Sequence, residues 1–141
     1  MILLDTNVVS EPMRQRPDRR VQDWLDAQAI ETLYLSTISL SELLLGIETL
    51  PAGRRRRALA GSLGKRIAGL FGDRIIAFDV AAAEAYARVV VGARRHGHAI
   101  SVADGQIAAI AASRGLTMAS RDETPLQAAG LVVINPWTAE Q

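Results

Sequence analysis

With 141 residues, 49% of them hydrophobic, the chain has enough apolar material for one domain around one core, without disulfides or a structural metal. It has no cysteine, which excludes zinc–thiolate sites, redox motifs and cysteine nucleophiles and suits a reducing cytoplasm. A formal net charge of +1 provides no global basic field of the kind that dominates non-specific nucleic-acid binders.

Short apolar runs alternate with helical patterns in chain order, which predicts a βα-type parallel sheet of four to five strands. The strand candidates are Ile2–Leu4, Leu33–Leu35, Ile75–Phe78, Leu116–Ala119 and Leu131–Ile134. The helix candidates start with a short one at Asn7–Met13, then Asp18–Gln28, and Ser39–Leu50 with its stripe Leu40, Leu43, Leu44, Ile47 and Leu50. Then come the basic, Gly-interrupted Ala52–Phe71, Val80–Arg95 with a stripe at Val80, Ala83, Ala87, Val90 and Val91, and Ser101–Arg114, stopped by Gly115. The domain is expected over 1–137, with a frayed tail at 138–141. No apolar run approaches the ~20 residues of a membrane span, and the N-terminus lacks the basic and apolar regions of a signal peptide. A cytoplasmic protein without a membrane partner is expected.

Four acidic residues stand at strand or helix junctions: Asp5, Glu42, Asp104 and Asp122. In open α/β sheets ligands bind at the carboxyl edge of the strands, and Asp5 and Asp122 both follow apolar strand runs. Each residue also has a structural reading. Asp5 could cap the turn at Asn7, and Asp122 could open a turn. Ser39-Leu40-Ser41-Glu42 and Ser101-Val102-Ala103-Asp104 resemble capping boxes. Asp104, however, shares a helix face with Ile107, Ala108 and Ala111, where an unpartnered carboxylate is costly. Asp79, directly before Val80-Ala81-Ala82-Ala83, reads as an ordinary N-cap. Four carboxylates sharing one edge repel one another unless a cation sits among them. An all-oxygen ligand set favours Mg²⁺, or Mn²⁺, over zinc, and with it phosphodiester or phosphoryl chemistry.

The strings Met1-Ile2-Leu3-Leu4-Asp5-Thr6-Asn7-Val8-Val9-Ser10-Glu11, Ser39-Leu40-Ser41-Glu42-Leu43, Ile100–Ala111 and Ser120-Arg121-Asp122 resemble the PIN-domain ribonucleases, in particular the VapC/FitB-type toxins of type II toxin–antitoxin systems. The likeness extends to Ile134-Asn135-Pro136-Trp137. It implies an α/β fold, a parallel sheet with helices on both faces, and a Mg²⁺-dependent endoribonuclease with an acidic quartet at Asp5, Glu42, Asp104 and Asp122. Asp5 and Asp104 would hold the principal metal, and Thr6, Asn7 and Ser120 would orient carboxylates or waters. It also implies an RNA substrate, a homodimer, and a small antitoxin partner through which alone DNA would be bound. One departure is visible: the family often continues to a second Asp followed by Phe, where this chain has Glu123-Thr124-Pro125-Leu126.

Two other readings stand beside this one. A catalytically weak PIN-fold subunit could act mainly within an antitoxin-bound autorepressor complex. A metal-dependent phosphatase would carry Asp-x-Asp at the strand end, and Asn7 stands where its second Asp would be. Of the remaining signals, His96-Gly97-His98 lacks further ligands at zinc spacing, Ser10 and Ser62 lack a triad context, and Gly61-Ser62-Leu63-Gly64-Lys65 fails P-loop spacing. Arg54-Arg55-Arg56-Arg57 could meet RNA phosphates, an acidic partner, or only solvent.

Overall fold

The computed structural model describes residues 1–140. Five parallel strands, β1 (Ile2–Leu4), β2 (Leu33–Ser36), β3 (Ile75–Ile76), β4 (Thr117–Ala119) and β5 (Val133–Ile134), form one sheet in the order β3-β2-β1-β4-β5. Seven α-helices are described: α1 (Thr6–Ser10), α2 (Arg19–Asp26), α3 (Thr37–Glu48), α4 (Arg54–Leu70), α5 (Val80–Arg95), α6 (Val102–Arg114) and α7 (Glu123–Ala128). The expected parallel α/β architecture is the one observed. Among the described residues no helix is long and apolar enough to cross a membrane.

Strand pleating divides the core. Leu4, Leu33, Leu35 and Ala119 point to one face, with Val8, Val21, Trp24, Leu43, Ile47 and Leu63 from α1–α4. Leu3, Ile76 and Met118 point to the other, with Ala82, Val89, Ile107, Ala108, Ala111 and Leu126 from α5–α7. The alternation of Leu3 and Leu4 is the period-2 consequence of a strand covered on both sides.

Several sequence expectations change. Helix α3 starts at Thr37, not Ser39, because the Ser36 side chain is its N-cap and accepts from Ser39 N at 2.9 Å. The capping-box reading of Ser39 and Glu42 therefore fails. On α5 the buried positions are Ala82, Ala85, Val89 and Ala93, while Val80 is 76% exposed. In an Ala-rich helix both faces are apolar, so the periodicity does not choose between them. Helix α7, Glu123–Ala128, was absent from the sequence expectations, since its six residues are too few for a periodic signal. At the C-terminus, Thr138 and Ala139 both donate backbone N–H groups to Asn135 O, so the ordered turn extends past Trp137. Residue 141 of the expected tail lies outside the described residues.

Gly105 lies where α6 packs against α5. A Cβ there would stand 2.9 Å from Tyr86 Cε2 and 3.4 Å from Val90 Cγ2. The Tyr86 ring is itself held edge-on to Phe78, with centroids 6.3 Å apart. Gly105→Ala is expected to lose about 1–3 kcal/mol through overpacking, outweighing the better helix propensity of alanine. A thermal melt checks this, and an unchanged melting temperature contradicts it.

Candidate active site at the carboxyl edge of the sheet

The chain leaves β1 for β2 on one side and later returns to β4 on the other. This reversal opens a crevice beyond the carboxyl ends of β1 and β4, the place where open α/β sheets bind ligands. Asp5 is the first residue after β1. Its N–H continues the ladder to Ala119 O at 2.9 Å, and its carboxylate faces the crevice, 8% exposed. Asp5 Oδ1 accepts from Thr6 N at 2.8 Å and so caps α1. Asp5 Oδ2 accepts from Ser120 Oγ at 2.7 Å. The cap expected of this residue exists, and the second oxygen belongs to the crevice as well.

Ser120, directly after β4, is buried and joins two acids. Its hydroxyl donates to Asp5 and accepts from Asp122 N at 3.0 Å. Asp122 stands at the N-terminus of α7, but its side chain makes no capping bond there. Instead it lines, with Asp5 and Asp104, a small, partly open cavity of about 30 Å³ whose other walls include Ser101, Ile100 and Leu126. That volume exceeds the roughly 10–15 Å³ a water needs. The neighbouring acid Glu123 is turned aside, since Asn135 Nδ2 donates to its Oε2 at 2.9 Å. Asp104 reaches the cavity from the first turn of α6, whose N-cap Ser101 accepts from Asp104 N.

Glu42 approaches from α3. Thr6 Oγ1 lies 2.8 Å from Glu42 Oε1 and 2.9 Å from Ser39 Oγ. A hydroxyl has one proton, which goes to the carboxylate, so Ser39 donates to Thr6. Glu42 and Thr6 line a second, open groove that runs away from the cavity. Ser39 is a polar site neighbour that the sequence reading assigned to a cap. Its i, i+3 spacing to Glu42, which puts both on one helix face, was the available signal. Asn7, the third residue expected to orient carboxylates or waters, lies in α1. Its side chain is exposed and without a hydrogen bond among the described residues. Asp79, set aside as an N-cap, accepts from Ala82 N at 2.9 Å.

Burial pushes the Asp5 carboxyl above its ordinary value of 3.8, and repulsion from Asp104 and Glu42 adds to the rise, against the lowering bonds from Ser120 and Thr6 N–H. All donors facing this region are oxygens. Among the described residues no three acids or imidazoles close to metal-holding separation.

A parallel sheet with acids gathered at its switch point defines the class of the molecule as an α/β protein with an acidic site at the strand edge. The PIN domain family matches residues 2–131, and the chain belongs to that family. It is 51% identical over 139 residues to the plasmid stability protein StbB of Pseudomonas syringae pv. tomato, covering 99% of this chain and 100% of that one. It is 46% identical to VapC ribonuclease Y4jK of Sinorhizobium fredii, covering 97% of this chain and 98% of that one. The solved structure of FitAB bound to an IR36 DNA fragment superposes with a TM-score of 0.94 at 43% identity, covering 100% of this chain and 99% of that one.

Proposed function

We propose that the chain is a Mg²⁺-dependent endoribonuclease, the toxin component of a toxin–antitoxin pair, acting on RNA at the pocket of Asp5, Asp104 and Asp122 with Glu42 at its rim. The observation that carries this reading is the convergence of three carboxylates, from the end of β1, from α6 and from the β4–α7 turn, on one cavity. The close relative named as a VapC ribonuclease supports the reaction class. The FitAB complex on DNA supports a partner protein through which DNA would be held. The homodimer expected from the sequence belongs to the same reading.

The donors fit a hard divalent cation. They are all oxygens, and each Asp5 oxygen carries one hydrogen bond and keeps lone-pair capacity. The like charges that raise the Asp5 pKa are those a cation would offset. Asp5 and Asp104 would hold the ion, with Asp122 and Glu42 acting through water, as suits Mg²⁺, which keeps several waters. When bound, the ion neutralises charge on the phosphate and lowers the pKa of a water. The chain's own residues do the positioning. Ser120 fixes the Asp5 carboxylate against the Asp122 backbone, while Thr6 ties Glu42 to the start of α1.

The test is cleavage of single-stranded and structured RNA by the purified protein. Cleavage is expected with Mg²⁺ or Mn²⁺, to vanish in EDTA and to return on adding excess Mg²⁺. Equal cleavage in EDTA would sink the metal reading. The weaker-subunit reading draws on the altered loop after Asp122, Glu123-Thr124-Pro125-Leu126, and on the exposure of the Asp122 side chain. Metal-loaded free protein that binds RNA without cutting it would favour that reading.

A further inference from the structure

The open groove that starts at Thr6 and Glu42 has a volume of about 400 Å³ and ends between Arg14 and Arg55. The same two arginines, with Gln15 and Arg16, line a second cleft that continues it. One path therefore leads from the acidic edge to a cluster of three guanidinium groups. Those cations come from two separate segments, the loop after Met13 and the first turn of α4. Their meeting is produced by the fold and is not visible in the sequence.

Arg14 is held from behind. Buried Glu11, 5% exposed, sits 3.3 Å from Arg14 Nη1 and also accepts from Asp18 N at 3.0 Å, while the Arg14 side chain remains 63% exposed. Arg16 and Arg55 are exposed and make no ion pair among the described residues. Within the run Arg54–Arg57 the roles diverge: Arg56 pairs with Glu48 at 2.7 Å, whereas Arg55 faces the groove. Four arginines in the first turn of α4 also oppose the helix dipole, a local cost against which the fold sets the Arg56–Glu48 pair.

We infer that Arg14, Arg16 and Arg55 form a subsite for the RNA backbone, holding phosphates that flank the one at the acidic pocket. This deepens the nuclease reading and rests on it. A polynucleotide carries a phosphate at every nucleotide. A strand passing its scissile phosphate over Asp5 and Glu42 would run past the groove's apolar walls, Leu43, Ile47, Leu50 and Leu59, and bring later phosphates to the arginines at its far end. Guanidinium groups bind phosphates with paired N–H donors and need no base identity. The chain's net charge of +1 gives little long-range attraction, so RNA affinity depends on such local clusters.

The test measures binding of a fluorescein-labelled single-stranded RNA oligonucleotide in EDTA, by anisotropy across a salt series, with cleavage in Mg²⁺ assayed separately. The proteins are wild type, Arg16→Ser, Arg55→Ser, the double variant, and Lys65→Ser as a control far along α4. Thermal melts verify folding of each. Each groove variant is expected to weaken binding several-fold and to flatten the slope of log affinity against log salt by about 0.7 for every phosphate it no longer holds. The double variant should lose about twice that, and Lys65→Ser nothing. Wild-type protein that cleaves RNA while the double variant keeps its affinity and slope overturns the subsite alone. Loss of binding to an acidic peptide with RNA binding intact overturns it too and assigns the arginines to a protein partner. Wild-type protein that neither binds nor cleaves RNA overturns the nuclease reading, and the subsite with it.

Discussion

Asp104→Asn is expected to reduce RNA cleavage by about a hundredfold or more while the protein remains folded. The side chain keeps its size, and the backbone N–H of residue 104 keeps its bond to Ser101. What disappears is one of the charges proposed to hold the metal, an interaction of several kcal/mol in phosphoryl chemistry, with each ~1.4 kcal/mol worth a factor of ten. Glu42→Gln is the companion variant. Because Ser36, not Ser39, caps α3, the structure removes a capping role for Glu42. Gln also retains an oxygen acceptor for Thr6. A fall in rate at Glu42→Gln therefore reports on the site and not on helix stability. Rates equal to wild type in both variants, measured with saturating Mg²⁺, would remove the acidic quartet from the mechanism.

Much of the fold was legible because strand signals were strong and local. Ile2–Leu4 runs apolar up to Asp5, and the observed β1 covers those residues. Gly115 stops α6 in a left-handed conformation, φ 64°, as its position after Arg114 predicts. Errors arose where the deciding interaction was not local. Whether Ser36 or Ser39 caps α3 depends on where β2 ends, which its pairing with β3 at Ser36 determines. The acids were named from their junctions, but their connections were out of reach. Ser120 bonding Asp5 across 115 residues, or Thr6 bonding Glu42 across 36, follows from β1 lying between β2 and β4. The arginine cluster is the same case: the Arg54–Arg57 run was conspicuous, while Arg14 and Arg16, which give Arg55 its company, carried no signal.

Asp5→Asn is expected to melt higher than wild type in EDTA at neutral pH and to lose RNA cleavage. Burial, then the charges of Asp104 and Glu42, raise the Asp5 pKa in the folded protein above its unfolded value. A group raised in this way contributes stability that is fully present below the unfolded pKa, near 3.8, and is lost as pH rises through the folded pKa. At neutral pH the wild type has lost that contribution. Asparagine mimics the uncharged form, since it can accept from Thr6 N and donate to the Ser120 hydroxyl. The gap in melting temperature should therefore be widest at neutral pH and close as pH falls through the folded pKa towards 3.8. Asp18, whose carboxyl is lowered by its bond to Arg20, titrates in both proteins and cancels from the difference. Each kcal/mol corresponds to about 4 °C for a domain of this size, which a melt resolves. Added Mg²⁺ reverses the order. A ligand at a hundred times its dissociation constant stabilises the native state by about 2.7 kcal/mol, and the variant lacks a carboxylate proposed to hold it. A variant that melts lower than wild type in EDTA at neutral pH, with an equal Mg²⁺ response in both proteins, would show that Asp5 is a helix cap whose charge the fold tolerates. The repulsion on which the metal proposal rests would then be absent.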